Sequence, residues 1–200
     1  MCSPTFPPRV LRHSILLAAA ITLAGAAPAY GQPVSTPASG DTSSIFSTNT
    51  QGQGFGLRYG YHDKYRRYEA VYETPSWWSY NSGGDWGRLD ANIEVGLAYW
   101  EAQERDPSSL WQLSATPMLR WWPSDFFYTE IGIGATVLSR TRFANRQLGS
   151  AFQFGSHIGL GTVIRDAHRI GIRASHYSNA GINSRNEGLD VLQVTYTYRF

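Results

Sequence analysis

Cysteine is almost absent from this chain of 200 residues, which contains only Cys2. Cys2 lies ahead of an apolar stretch near the N-terminus, in a segment that we expect to be removed on export. The mature chain would then have no thiol, which excludes disulfide bonds and cysteine metal sites. A lipoprotein is disfavoured, because its lipid-bearing cysteine would follow the apolar stretch.

An excess of one charge sign is also absent. The chain has 17 basic and 15 acidic residues, and two of the basic residues, Arg9 and Arg12, lie in the segment expected to be removed. The mature chain is therefore balanced, with 15 residues of each sign. A balanced chain gives no indication of a basic surface for nucleic acid, and we expect no nucleic-acid partner.

Long apolar runs are confined to the N-terminus. Two arginines, the apolar run Ile15 to Ala24 and an A-x-A site at 27–29 together predict a signal peptide over residues 1–29. Its apolar run is shorter than the roughly 20 residues of a membrane-spanning helix. Residues 30–50 are rich in Ser, Thr, Pro and Gly, which predicts a flexible lead-in. No later segment is long and apolar enough to predict a spanning helix.

From residue 51 onward the chain instead shows alternation. Short segments carry apolar side chains at every second position and are separated by polar breaks, a pattern typical of β-strands. Two such segments end the chain, and six precede them, so eight strands are predicted. The apolar faces of the first six contain Phe55, Leu57, Tyr59, Tyr61; Tyr68, Ala70, Tyr72; Leu89, Ala91, Ile93, Val95, Leu97, Tyr99; Trp111, Leu113, Ala115, Leu119, Trp121; Phe127, Ile131, Ile133, Ala135, Val137; and Phe152, Phe154, Ile158, Leu160, Ile164.

The opposite faces of these segments carry charged and small residues. A soluble sandwich would bury its apolar face, whereas a narrow barrel in a membrane turns that face to lipid and fills its interior with polar groups. We therefore predict an all-β fold, an eight-stranded antiparallel transmembrane β-barrel over residues 51–200. The interior set is Arg58, Glu69, Glu73, Glu94, Gly96, Arg120, Glu130, Gly132, Gly134 and Arg173.

A secreted lipocalin-like barrel is the alternative fold. Paired aromatics at predicted strand ends disfavour it, because they resemble the aromatic girdles of membrane barrels. The terminal Phe200, preceded by alternating apolar residues, resembles the signal read by the outer-membrane barrel assembly machinery, which we expect to act during biogenesis. The aromatic pairs are Trp77–Trp78, Tyr99–Trp100 and Trp121–Trp122.

Polar residues interrupt the apolar faces of the last two strands. His176 and Ser178 share the parity of Ile170 and Ile172, and Asp190 shares that of the apolar residues after it. In an antiparallel hairpin symmetric about Asn183, His176 lies directly opposite Asp190, where Cβ atoms are about 4.5–5.5 Å apart. Such an arrangement predicts a Ser/His/Asp constellation.

Each of these residues also has a plain structural interpretation, as an interfacial, strand-end or turn side chain. The register is assumed, and a slip of one residue would turn Asp190 to the other face. Glu187 is a rival acid, although its odd position would point it away from His176.

The run HYSNAG at residues 176–181, followed by an acid at Asp190, resembles the signature of the lipid A 3-O-deacylases of the PagL family. That family has a His and a Ser two residues apart and a carboxylate twelve residues after the Ser. It commonly uses Glu there, whereas this chain has Asp. The resemblance implies an outer-membrane serine esterase in which Asn179 and the backbone N–H of Gly181 form the oxyanion site.

Further expectations concern the substrate, which the resemblance implies is lipid A of lipopolysaccharide in the outer leaflet. Phe154 is expected near Ser178 if the short turn RDAH at residues 165–168 closes that hairpin. The resemblance implies a functional Phe at the matching separation from the His, although Phe154 is equally well explained as one more lipid-facing aromatic. Loop arginines are candidates for binding lipid A phosphates, with solvated loop charge as the plain alternative. They are Arg140, Arg142, Arg146 and Arg185.

The histidines outside the motif have no metal-ligand spacing, so no metal and no cofactor are expected. Two other function classes stay open: a non-enzymatic structural or adhesion barrel, and an outer-membrane phospholipase. The sequence leaves the oligomeric state open, a homodimer included.

Overall fold

The computed structural model describes residues 52–81, 86–103 and 106–200. The predicted signal peptide and lead-in lie outside these ranges. No helix in the described ranges has the length and apolar character needed to cross a membrane. The strands are β1 (Gly54–His62), β2 (Tyr65–Glu73), β3 (Trp78–Asn81), β4 (Arg88–Ala102), β5 (Ser109–Trp122), β6 (Phe127–Leu138), β7 (Arg142–Phe143), β8 (Arg146–Gln147), β9 (Phe152–Ile164), β10 (His168–Ser178) and β11 (Leu189–Arg199).

Eight of these strands close into a barrel. The sheet runs β2–β1–β11–β10–β9–β6–β5–β4, and the ring closes because β4 also pairs with β2. Each neighbouring pair is antiparallel, and the closing pair β1–β11 joins the first strand to the last. The prediction of an eight-stranded antiparallel barrel is confirmed.

The two faces of the barrel have the predicted character. Large apolar side chains on alternate positions are exposed on the outer surface, as Leu57, Leu113 and Ile172 illustrate. The residues between them point inward and are buried, among them Arg58, Glu94 and other charged side chains. Because a period of two separates the faces of a strand, alternation in the sequence determined both sets.

Ion pairs hold the interior together. The Glu94 carboxylate lies 2.8 Å from Arg58, 2.6 Å from Arg120 and 2.8 Å from Arg173, and Glu130 lies 2.9 Å from Arg120. All of these side chains are almost fully buried. Removing one partner from such a group typically costs about 3–5 kcal/mol, since it leaves a buried charge uncompensated. The network therefore ties β1, β4, β5, β6 and β10 together.

The second predicted strand is present as β2, and the short strand β3, which was not predicted, continues its line along β4 after a break. Pairing with β4 passes from Glu73–Glu94 to Trp78–Ala91, so four residues of one strand oppose two of the other. Pro75 lies in this bulge and has no N–H for the ladder. Thr74 and Trp77 on either side of it still donate backbone hydrogen bonds to β4.

The predicted position of the aromatic pairs on the outer surface is only partly confirmed. Trp121 is exposed on the outer surface, but its neighbour Trp122 is buried and donates to Asp90 at 2.6 Å. Trp100, next to Tyr99, is fully buried inside. Consecutive strand residues face opposite sides, so the prediction that both members of these two pairs lie in an aromatic girdle was wrong.

An apolar plug fills one end of the interior. It contains Tyr65 and Trp100, with Phe143 from the β7–β8 hairpin and Tyr177 and Leu189 from β10 and β11. The rings of Tyr65, Phe143 and Tyr177 all contact Trp100, with centroids 5.5–6.1 Å away. The plug fills this end of the barrel, and the candidate site lies on the outer surface of the same end.

Candidate active site

The last hairpin adopts the register that is symmetric about Asn183. His176 pairs with Asp190, and the ladder continues without a slip to His168 and Tyr198. His176 also pairs with Ser156 of β9, and Ser178 pairs with Phe154. The predicted register is confirmed, and it places the candidate residues together on the outer face near the end of β10.

His176 and Asp190 form a direct polar contact. The Nδ1 atom of His176 lies 2.7 Å from Oδ1 of Asp190. Their side chains are 50% and 63% exposed, in contrast to at most 4% for the Glu94 ion pairs of the interior. A carboxylate only accepts hydrogen bonds, so Nδ1 carries the proton and Nε2 of the neutral ring is left with its lone pair. This tautomer suits a general base.

Ser178 lies two residues beyond His176, on the same face of β10, and is half-buried. Within the described ranges its hydroxyl makes no hydrogen bond, to His176 or to any other group. Phe154, predicted to lie near it, is its direct partner on β9, and its ring packs edge-on against Phe152 at 5.1 Å. The Ser178 hydroxyl is therefore free of hydrogen bonds within the described ranges and lies beside an aromatic side chain.

The loop after Ser178 is organised by Asn179, whose side chain is fully buried. Its amide nitrogen donates to the carbonyls of Leu148, at 3.0 Å, and Arg185, at 2.8 Å. Its Oδ1 atom accepts from the N–H of Gly181 at 2.9 Å. The two predicted oxyanion donors are thus engaged inside the loop, and their role towards a substrate stays a prediction that requires one of these bonds to be shared or opened.

The loop turns tightly at this point. Ala180 and Gly181 both have positive φ angles, 51° and 83°, and Ile182 donates its N–H to the Asn179 carbonyl at 3.0 Å. Two successive left-handed residues inside such a bond describe a type I′ turn. Alanine is uncommon in this conformation, so the turn needs stabilising contacts. The hydrogen bonds of the Asn179 side chain provide them.

The rival acid Glu187 is held elsewhere. Its carboxylate accepts a short hydrogen bond from the backbone N–H of Gln147, and its own N–H donates to the Gln147 carbonyl at 3.3 Å. Arg146, predicted to bind phosphate, donates to the carbonyls of Glu187 and Gly188 at 3.0 and 3.1 Å. The β7–β8 hairpin thus braces the segment that leads into β11.

The other three predicted substrate arginines, Arg140, Arg142 and Arg185, are exposed in the two loops at this end. They are accessible to an anionic ligand, whereas Arg146 is partly used in bracing. No group of three or more metal-ligating side chains occurs in the part of the chain that the structure describes.

Sequence reasoning missed two residues that lie next to the site. The hydroxyl of Tyr65 donates to the Asp190 carbonyl at 2.9 Å and accepts from the Asp190 N–H at 3.1 Å. A contact between residues 125 positions apart left no signal in the alternation. Ser156, opposite His176, did leave one: it is a polar gap between Phe154 and Ile158 on the apolar face of β9.

The fold and the site together define a membrane-type barrel that carries an acid–imidazole pair on its outer surface, beside a serine. The chain belongs to the PagL family of lipid A 3-O-deacylases, whose family model matches residues 64–199.

Two curated relatives and one solved structure are similar to the chain. The lipid A deacylase PagL of Bordetella bronchiseptica is 56% identical over 152 residues, which cover 76% of this chain and 85% of the relative. The lipid A deacylase PagL of Pseudomonas aeruginosa is 32% identical over 124 residues, or 60% of this chain and 69% of that one. A crystal structure of the outer-membrane enzyme PagL superposes with a TM-score of 0.64 at 27% identity, covering 74% of this chain and 99% of the other.

Proposed function

We propose that this protein is a lipid A 3-O-deacylase, an enzyme of the outer membrane that hydrolyses the ester-linked acyl chain at the 3-position of lipid A. The observation that carries the proposal is the His176–Asp190 hydrogen bond on the outer face of a barrel from this family. A carboxylate and an imidazole on a lipid-facing surface cost insertion energy. Its retention on that surface favours a catalytic role over a structural or adhesion barrel.

The position of the site along the barrel fits this substrate. Bacterial barrels with an even number of strands have short periplasmic turns and longer extracellular loops. Here the longer connections lie after β6 and β10, at the end that carries the site. That end then faces outward, at the level of the outer leaflet, where lipopolysaccharide resides. An acyl ester of lipid A can reach this surface from within the leaflet, without an entry channel.

In the proposed reaction Ser178 is the nucleophile and His176 the general base. The Ser178 hydroxyl oxygen attacks the ester carbonyl while Nε2 of His176 takes its proton. Asp190 holds the ring by Nδ1 and stabilises the imidazolium that forms. The tetrahedral intermediate then collapses, the C–O bond to the sugar breaks, and His176 returns the proton to the departing 3-hydroxyl oxygen.

The second half of the reaction releases the fatty acid. A water molecule gives its proton to His176 and attacks the acyl-enzyme, and the Ser178 oxygen leaves and is reprotonated. Donors from Asn179 and the Gly181 N–H would stabilise the oxyanion in both halves, an effect commonly worth about 2.7–4 kcal/mol per donor. Phe154 would contact the acyl chain, and the exposed loop arginines would bind the phosphates.

Lipid A from a Gram-negative host with and without the expressed gene gives the test of function. Mass spectrometry should show the loss of one ester-linked acyl chain from the 3-position when the gene is present. Phospholipids extracted from the same cells should keep their acyl chains. Lysophospholipid with intact lipid A would identify a phospholipase, and no change in either lipid would support a non-enzymatic barrel.

Localisation has a separate test. The mature chain should fractionate with the outer membrane and, because a closed barrel of eight strands resists SDS without heating, should migrate differently on gels before and after boiling. Depletion of the barrel assembly machinery should reduce the folded form. Recovery of the protein as a soluble periplasmic species would contradict the membrane assignment.

A further inference from the structure

We propose that Tyr65 is a positioning residue for the acid of the catalytic site, and that it acts by holding the backbone of Asp190. The inference rests on the proposed function, since it concerns the same site. A residue of the barrel interior, on β2, thus fixes the position of a carboxylate on the outer surface.

The strand β11 extends beyond its neighbour β1. The last pair between them is Tyr61 with Leu192, so Asp190 lies past the end of β1. Both backbone groups of a residue in an antiparallel strand point to the same edge. At Asp190 the hydroxyl of Tyr65 occupies this edge, accepting from the N–H at 3.1 Å and donating to the carbonyl at 2.9 Å. At Asp190, one hydroxyl thus makes the two backbone hydrogen bonds that a longer β1 would otherwise make.

This contact also shows which kind of pair His176 and Asp190 form. Because the backbone groups of Asp190 point towards the β1 edge, its pair with His176 on β10 is of the non-hydrogen-bonded type. In such pairs Cα atoms are about 4.5 Å apart, closer than in the other type. The closer spacing lets a short Asp side chain reach the imidazole, and the distance from Nδ1 to Oδ1 is 2.7 Å.

The hydroxyl is itself fixed in place. The Tyr65 side chain is 1% exposed and belongs to the apolar plug. Its ring stacks on His62 at 4.3 Å and contacts Trp100 and Phe143 at 5.5 and 5.6 Å. Replacement by Phe keeps these ring contacts and removes only the oxygen. The start of β11 would then lose two hydrogen bonds at the end of a strand, where fraying is easiest.

Tyr65→Phe should lower kcat about 10- to 100-fold, since displacing a catalytic group by about 1 Å can cost about 100-fold, and should leave KM within about twofold. Fatty-acid release from lipid A by the purified protein in detergent micelles gives both constants. Tyr128→Phe is the matched control, since Tyr128 is also buried inside, against Trp122, but lies at the other end of the barrel. It should leave both constants unchanged, and heat-modifiable migration should show that both variants fold.

A double-mutant cycle separates positioning from a general structural role. If Tyr65 acts through the Asp190 carboxylate, Tyr65→Phe should have little effect in an Asp190→Asn background, whereas a general loosening of the barrel would lower activity by the same factor in both backgrounds. Wild-type kcat in the folded Tyr65→Phe variant, or an undiminished loss in the Asp190→Asn background, would overturn the inference. Inactivity of the wild type and of Tyr128→Phe would instead refute the proposed function.

Discussion

Ser178→Ala is expected to abolish deacylation while leaving a folded barrel in the outer membrane. The hydroxyl makes no hydrogen bond in the described ranges, so its removal should cost little stability. In the proposed reaction, however, the acyl-enzyme cannot form without it. Loss of the nucleophile from a serine protease lowers kcat about 10⁶-fold, and a loss of that size would leave no measurable change in lipid A by mass spectrometry.

Ser156→Ala is the matched control for this experiment. Ser156 also has a hydroxyl on the outer face, and it lies directly opposite His176 on β9. We expect this variant to keep most of the activity, because the family motif places the nucleophile two residues after the His. Full activity in a correctly inserted Ser178→Ala variant, together with an inactive Ser156→Ala variant, would move the nucleophile to β9.

The fold could be predicted from the sequence because a strand encodes its two faces directly. Every second residue of a membrane barrel meets lipid, so residues such as Leu57 and Leu113 mark the outer face without any knowledge of their neighbours. The same rule narrowed the choice of hairpin register, since only registers of one parity put both His176 and Asp190 outside, but the register symmetric about Asn183 was an assumption. The even number of barrel strands makes β11 antiparallel to β1, and the two pair to close the ring.

Other features depend on contacts between distant segments, which alternation does not encode. The break between β2 and β3 arises at Pro75, where one missing N–H disturbs pairing with β4. Trp100 looked like an interfacial residue beside Tyr99, but its side chain fills the plug. Asn179 was predicted from the resemblance to form the oxyanion site, and that role stays a prediction; its contacts with the carbonyls of Leu148 and Arg185 could not be predicted from the sequence.

Substitutions at the two candidate acids should separate their roles. Asp190→Asn keeps the size of the side chain but removes the charge that orients His176 and stabilises its cationic form. The analogous change in a serine protease triad lowers kcat about 10⁴-fold, and we expect a loss of that order here, measured as fatty-acid release from lipid A. Asp190→Glu should recover part of the activity, because the family commonly uses Glu at this position.

Glu187→Gln provides the comparison. The Glu187 carboxylate accepts from the Gln147 N–H in the β7–β8 hairpin, and a Gln side-chain oxygen can accept the same bond, so the brace should survive and activity should change little. Glu187→Ala, which removes the acceptor, should loosen the segment before β11 and have a moderate effect. If Glu187→Gln instead proves more damaging than Asp190→Asn, the acid belongs to the loop, and the 2.7 Å contact between His176 and Asp190 is not the catalytic one.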